Sequence, residues 1–170
     1  MKEQEDIKRK VNRVTQALTL KPALGHGMGK SKTRITSGLA CETREGDWVL
    51  KTDMPEQVGG SGTASTPGVL GRAALGSCLA ISYMLWASKL DIKVDSLEVE
   101  VEADYDDGGL FGTSDSRPGY LEIRYTVRIK SPALAEDIEN MLDLADKHSP
   151  YLDVFSGAQP CVRKVELITD

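Results

Sequence analysis

The sequence predicts an α+β domain with long helices packed on a mostly antiparallel sheet. Two segments, 97–103 and 121–129, alternate strictly between apolar and polar residues, the mark of strands with one core face and one wet face. Three others, 3–18, 66–90 and 131–148, carry apolar residues at helical spacing or are apolar on nearly every face. The order is helix, hairpin, helix, two strands, helix, strand, which is that of an α+β layer architecture.

The first helix is amphipathic. Ile7, Val11, Val14 and Leu18 share one face, with Lys, Arg, Glu, Asn and Gln between them. It runs into Lys21-Pro22 and a Gly-rich connector that holds His26, expected to be solvated. The sequence therefore divides into an extension, residues 1–24, and a domain, residues 25–170. The apolar face of the extension needs burial, on the domain or on a second subunit.

A hairpin is expected next, with strands at 31–43 and 48–53 and Gly46 at positive φ in the turn. A loop rich in Gly, 59–63, leads to Thr66-Pro67. Thr caps a helix and Pro is tolerated at its first position, so the second helix should start here and run to about residue 90. Its apolar surface predicts a central, enclosed helix. The same stretch is nearly long enough to span a bilayer, but Arg72 and its many small residues favour the core reading. The connection 104–119, acidic and Gly-rich, reads as a mobile loop. The run 104–107 lacks the spacing of a calcium loop. Ser131-Pro132 repeats the cap-plus-Pro start, Ser149-Pro150 stops that helix, and a loop leads to a last strand at 161–168.

The 170 residues are 40% hydrophobic and 28% charged, with a net charge of -5, as in an ordinary globular protein. A negative chain without a basic cluster argues against nucleic acid. The first ten residues are charged throughout, with no apolar h-region. A cytoplasmic protein that does not engage a membrane is expected. Three cysteines, Cys41, Cys78 and Cys161, and two histidines show no CxxC or CxxH spacing, so neither a disulfide framework nor a metal site is predicted.

One stretch carries more information. Gly59-Gly60-Ser61-Gly62-Thr63-Ala64-Ser65-Thr66-Pro67, then Leu70, then Ala73-Ala74-Leu75-Gly76-Ser77-Cys78, resembles the signature of the OsmC/Ohr family. There a Gly-Gly loop leads through a Pro-capped helix to a cysteine in a run of small residues. The resemblance extends over about residues 31–168. It implies an intertwined homodimer with sites at the subunit interface and reduction of organic hydroperoxides, with no cofactor. A thiolate becomes a sulfenic acid, a second cysteine condenses with it, and an external thiol reductant, often a dithiol, restores the pair.

Residue by residue, the resemblance places the peroxidatic cysteine at Cys78. The resolving cysteine falls on Ser149 and the family's carboxylate on Gly68, so both are replaced. The arginine falls on Arg34, with Arg44 as second candidate. Each has a plainer reading: Cys78 as a small hydrophobe in a tight helix contact, Arg34 as a solvated strand charge. A working thiol needs a cation, because an ordinary thiol pKa of about 8.5 leaves few thiolates at neutral pH. Arg72, six residues before Cys78, lies about 120° around the helix and should not point the same way. Cys161, in phase with Val165 and Leu167, is either core packing or a displaced resolving thiol. Cys41 has the same two readings. His148 is either a helix C-terminal charge or a base or gate beside the site.

Three functions follow as alternatives. The first is a one-cysteine thiol peroxidase acting on organic hydroperoxides or another small apolar substrate. The second is a non-catalytic redox-sensing or ligand-binding protein on the same fold. The third is a hydrolase or transferase with Cys78 as nucleophile and His148 as base.

Overall fold

The computed structural model describes residues 2–168. Helix α1 spans Lys2–Leu20. A 3₁₀ turn, Pro22–Gly25, follows, then strands β1 (Lys32–Ser37), β2 (Ala40–Glu45) and β3 (Trp48–Thr52). Helix α2 is Pro67–Lys89, β4 is Ser96–Asp104, and the short α3 is Asp107–Phe111. Strand β5 is Glu122–Lys130, α4 is Ala135–Lys147 and α5 is Pro150–Ser156.

All strand pairs are antiparallel, but they form two sheets, ordered β1-β2-β3 and β4-β5. The strand expected at 31–43 is cut by a tight turn at Gly38, whose φ of +55° suits glycine, so a third strand appears. The expected Gly46 turn joins β2 to β3, at φ +54°.

The core sits on α2. Leu75, Leu79, Tyr83 and Ala87 are buried against Met141 and Ala145 of α4. The apolar face of the β4-β5 ribbon, including Val99, Val101, Ile123 and Val127, packs on the same cluster. The alternation in sequence thus becomes a wet face and a dry face, with β4 and β5 in register from Ser96↔Lys130 to Asp104↔Glu122. Thr66 caps α2 through its hydroxyl, which accepts from Val69 N–H at 3.4 Å.

The predicted enclosure of α2 is only half realised in one chain. Val69, Ala73, Ser77, Ile81 and Leu85, each four residues apart, form one exposed face, with Ile81 61% exposed. The three-stranded sheet likewise carries Ile35, Val49, Leu50 and Trp48 in the open, Trp48 at 79%.

Four other expectations are corrected. The segment 161–168 is not a strand: it is exposed and has no ladder partner among the described residues, and a strand without a partner leaves its backbone groups to water. The loop predicted after Ser149-Pro150 is a helix, α5, capped by the Ser149 hydroxyl. The Ser131-Pro132 pair does not start α4. Its hydroxyl donates to the Lys93 carbonyl at 2.6 Å and pins the β5–α4 turn to the α2–β4 connection. The 104–119 connection is organised by Asp106, which caps α3 through Gly108 N–H at 2.8 Å and accepts from the Ser114 hydroxyl at 3.2 Å.

Helix α1 docks on α2 by its N-terminal half. Gln4 clamps the chain after α2, donating to the Ile92 carbonyl (2.8 Å) and accepting from Val94 N–H (3.3 Å), and Lys8 pairs with Asp91. Ile7 and Val11 are half-buried, whereas Val14 and Leu18 further along the stripe are exposed.

Candidate active site

Cys78 lies in the middle of α2, half-buried. Its Sγ is 3.7 Å from the Oγ of Ser149, which is 2% exposed and stands at the α4–α5 junction. Ser149 also accepts from Leu152 N–H at 3.4 Å. One lone pair is thus committed to the cap, and the hydroxyl proton is free to point at the sulfur. The position read as that of a resolving cysteine is therefore beside Cys78 in space, although 71 residues separate the two in sequence.

The other expected site residues are not gathered here within one chain. Arg34 lies on β1 with its guanidinium 3.0 Å from Glu42, its register partner on β2. Arg44 binds the same carboxylate at 2.8 Å, and this bond, with the charges of both arginines, holds the Glu42 carboxyl below its ordinary range. His148 is stacked on Trp86, ring centres 5.2 Å apart, with Lys89 over the other part of that indole. Trp86 is two turns beyond Cys78 on α2, so the imidazole is packed against the C-terminal part of that helix. Cys161 is exposed in the terminal segment, not packed in a core, and Cys41 is half-buried on β2 with its thiol near the Leu39 carbonyl. All three thiols are free.

A large cleft of about 1190 Å³ opens along the N-terminal part of α2, and neither Cys78 nor Ser149 lines it. Leu75 and Leu152 form part of its wall. Leu75 is three residues, about one helical turn, before Cys78, and Leu152 is three residues after Ser149. Tyr105, Phe111, Tyr120 and Phe155 supply aromatic surface, and Tyr120 stacks with Phe155. Arg72 also lines the cleft and reaches the Tyr120 hydroxyl at 3.4 Å, which in turn donates to the Gly68 carbonyl at 2.9 Å. The helical phase that turns Arg72 away from Cys78 turns it into this cleft. The aromatic wall was not readable in sequence, since these residues come from loops and two short helices, α3 and α5, that no periodicity announced.

Two polar devices fix the surroundings. Asp53, 1% exposed at the end of β3, accepts from Met54 N–H, Ser61 N–H, Thr63 N–H and the Thr63 hydroxyl at 2.8–3.2 Å. It thereby folds the Gly-rich loop back toward the start of α2. Gly60 is required there, because a Cβ would fall 1.8 Å from the Met54 carbonyl oxygen. On the other side, the Asp146 carboxylate accepts from Tyr83 (2.7 Å) and Tyr125 (2.8 Å), tying α4 to α2 and β5.

An α+β chain with a half-buried cysteine on its central helix, a Gly-Gly loop before that helix and a cleft along its first turns defines a thiol-bearing domain of one class. Residues 60–162 match the family model described as OsmC-like protein, and the chain belongs to that family. Comparison with curated proteins gives no match. Among solved structures, an OsmC-like protein from Mycoplasma pneumoniae superposes with a TM-score of 0.67 at 17% identity, covering 77% of this chain and 89% of that one. An organic hydroperoxide resistance protein from Legionella pneumophila gives 0.56 at 19% identity, covering 77% and 90%. One from Elizabethkingia anophelis gives 0.60 at 15%, covering 78% and 90%. At these identities the likeness establishes the fold.

Proposed function

We propose that this protein is a cytoplasmic, homodimeric thiol peroxidase that reduces organic hydroperoxides through Cys78 alone, in response to oxidative stress. The observation that carries this reading is the Cys78–Ser149 contact at 3.7 Å, one turn from an apolar cleft, at the family's cysteine position. The Cys78 thiolate attacks the outer oxygen of the hydroperoxide. The O–O bond breaks, the sulfur becomes a sulfenic acid, and the alkoxide leaves and takes a proton to become the alcohol. With serine at position 149 no internal disulfide forms. An external thiol condenses with the sulfenic acid, releasing water, and a second thiol displaces Cys78 and carries away the disulfide.

The dimer supplies what one chain does not. The open face of α2 and the sheet that carries Arg34 both need a partner surface, and Arg34 of a second copy would bring the cation that the thiolate requires. The test is consumption of cumene hydroperoxide with dithiothreitol or a lipoylated protein as reductant. Wild type should turn over at about 1 per second or faster, and Cys78→Ser should be inactive. Unchanged turnover in Cys78→Ser removes the proposal.

A second reading, a redox sensor or ligand carrier, is favoured by the loss of the carboxylate at Gly68. It predicts sulfenylation of Cys78 or ligand binding without turnover.

A further inference from the structure

The cleft's apolar walls carry five charged residues, the cations Arg72 and Arg117 and the acids Asp106, Asp107 and Glu122. Arg72 points into it, yet among the described residues it forms no ion pair, and its only hydrogen-bond partner is the neutral Tyr120 hydroxyl. The nearby carboxylates are committed elsewhere: Asp106 to its own loop, Glu122 to Arg124. Asp107 at the start of α3 also lines the cleft and is the remaining acid.

Beside Arg72 there is room. A Cβ built on Gly68 would lie 3.5 Å from Arg72 Nη1 and 3.7 Å from both Thr66 Oγ1 and the Tyr120 hydroxyl oxygen, ordinary contact distances without clash. Gly68 and Arg72 are four residues apart on α2 and share a face. The Thr66 oxygen accepts from Val69 N–H, so its hydroxyl proton is free to donate. Two donors, one of them charged, thus converge on the space beside Gly68 in the wall of an aromatic cleft. Tyr120 holds the guanidinium in place and spends its own proton on the Gly68 carbonyl.

We propose that this space binds the carboxylate of an amphipathic monocarboxylic acid, whose apolar tail lies along the aromatic wall toward Leu75 and Leu152. Arg72 and Thr66 are the headgroup ligands and Tyr120 is a positioning residue. Gly68 and Cys78 are ten residues apart, about 15 Å along the helix, so a long-chain acid is favoured over a short one. The inference rests on the cleft being the ligand-binding part of the Cys78 site.

The test is calorimetric titration of the full chain with decanoate and with decanol. Wild type should bind decanoate at least about tenfold more tightly than decanol, the ratio expected of a charge-assisted hydrogen bond. Arg72→Met should abolish that preference, and Arg72→Lys should restore part of it. Gly68→Glu should abolish it too, because the new carboxylate occupies the space as an internal competitor at i,i+4 to Arg72. Equal affinity for acid and alcohol, a preference that survives both Arg72→Met and Gly68→Glu, or no binding of either ligand, as when a second copy fills the cleft, would overturn the proposal. Turnover of tert-butyl hydroperoxide, which has no carboxylate, by the wild-type chain reports the thiol chemistry separately. Its absence would end the peroxidase reading and leave the titration result standing.

Discussion

Ser149 is the residue whose chemistry sets the proposed cycle apart. Its oxygen sits where a sulfur could close a disulfide, so Ser149→Cys should convert the one-cysteine cycle to a two-cysteine cycle. Intact-mass measurement after one equivalent of hydroperoxide should show a loss of two hydrogens in the variant, and a gained oxygen in wild type. A gained oxygen in both would mean that the pair cannot adopt disulfide geometry. Asp53 carries a second prediction. The Thr63 N–H and hydroxyl, then Met54 and Ser61 N–H groups, hold its carboxyl below the ordinary 3.8. A depressed folded-state pKa stabilises the fold fully above that ordinary value, and the contribution is lost as pH falls through the lower folded value. Asp53→Asn turns an NH₂ toward donors, so its melting temperature should be lower than wild type at neutral pH, with the gap narrowing on acidification. The nearness of Ser149 to Cys78 was anticipated only through the family resemblance. The part played by Asp53 was not, because a strand-end acid beside a Gly-rich loop looks solvated until the loop is seen to wrap it.

At the scale of elements, α2 organises everything, and its start at Thr66-Pro67 was readable because cap chemistry is local. Leu79, fully buried between α4 and the β4-β5 ribbon, should cost about 2–5 kcal/mol when truncated to alanine, measured by denaturant unfolding. The link from α4 to its neighbours should show at alkaline pH. Burial, then the hydrogen bond to Asp146, pushes Tyr125 from 10 up to about 12, and the same causes raise Tyr83. A raised folded-state pKa stabilises fully below the ordinary value and is lost as pH rises through the folded one. Stability of wild type should therefore fall between pH 10 and 12 more steeply than that of Tyr125→Phe. The elements that were misread share a cause. Ser131-Pro132 has the chemistry of a helix start, but its hydroxyl is taken by a distant carbonyl, a tertiary contact that no local pattern reveals. The alternation at 161–168 describes a strand whose partner this chain does not supply.

For the molecule as a whole, the unburied apolar surface is the unresolved account of one chain. The α2 stripe through Ile81 and Leu85, the open three-stranded sheet, the exposed end of α1 and the segment 161–168 all expose apolar groups that the sequence pattern marks as core. The proposed homodimer covers them. Sedimentation at micromolar concentration should give twice the chain mass, and Ile81→Asp should shift it to monomer and lower turnover together by separating Cys78 from Arg34 of the other copy. A folded wild-type monomer would contradict this. The overall class was legible because alternation and helical spacing are properties of one chain. Which surfaces would meet a second copy was not, since periodicity marks a face as apolar without saying what covers it.

The central claim is that one sulfur, and not the other two, reacts with peroxide. The direct measurement is mass-spectrometric mapping of sulfenic acid, trapped with dimedone, after stoichiometric tert-butyl hydroperoxide. The account predicts the adduct on Cys78, with Cys41 and Cys161 unmodified. Trapping on the more exposed Cys161 while Cys78 stays a thiol would contradict it.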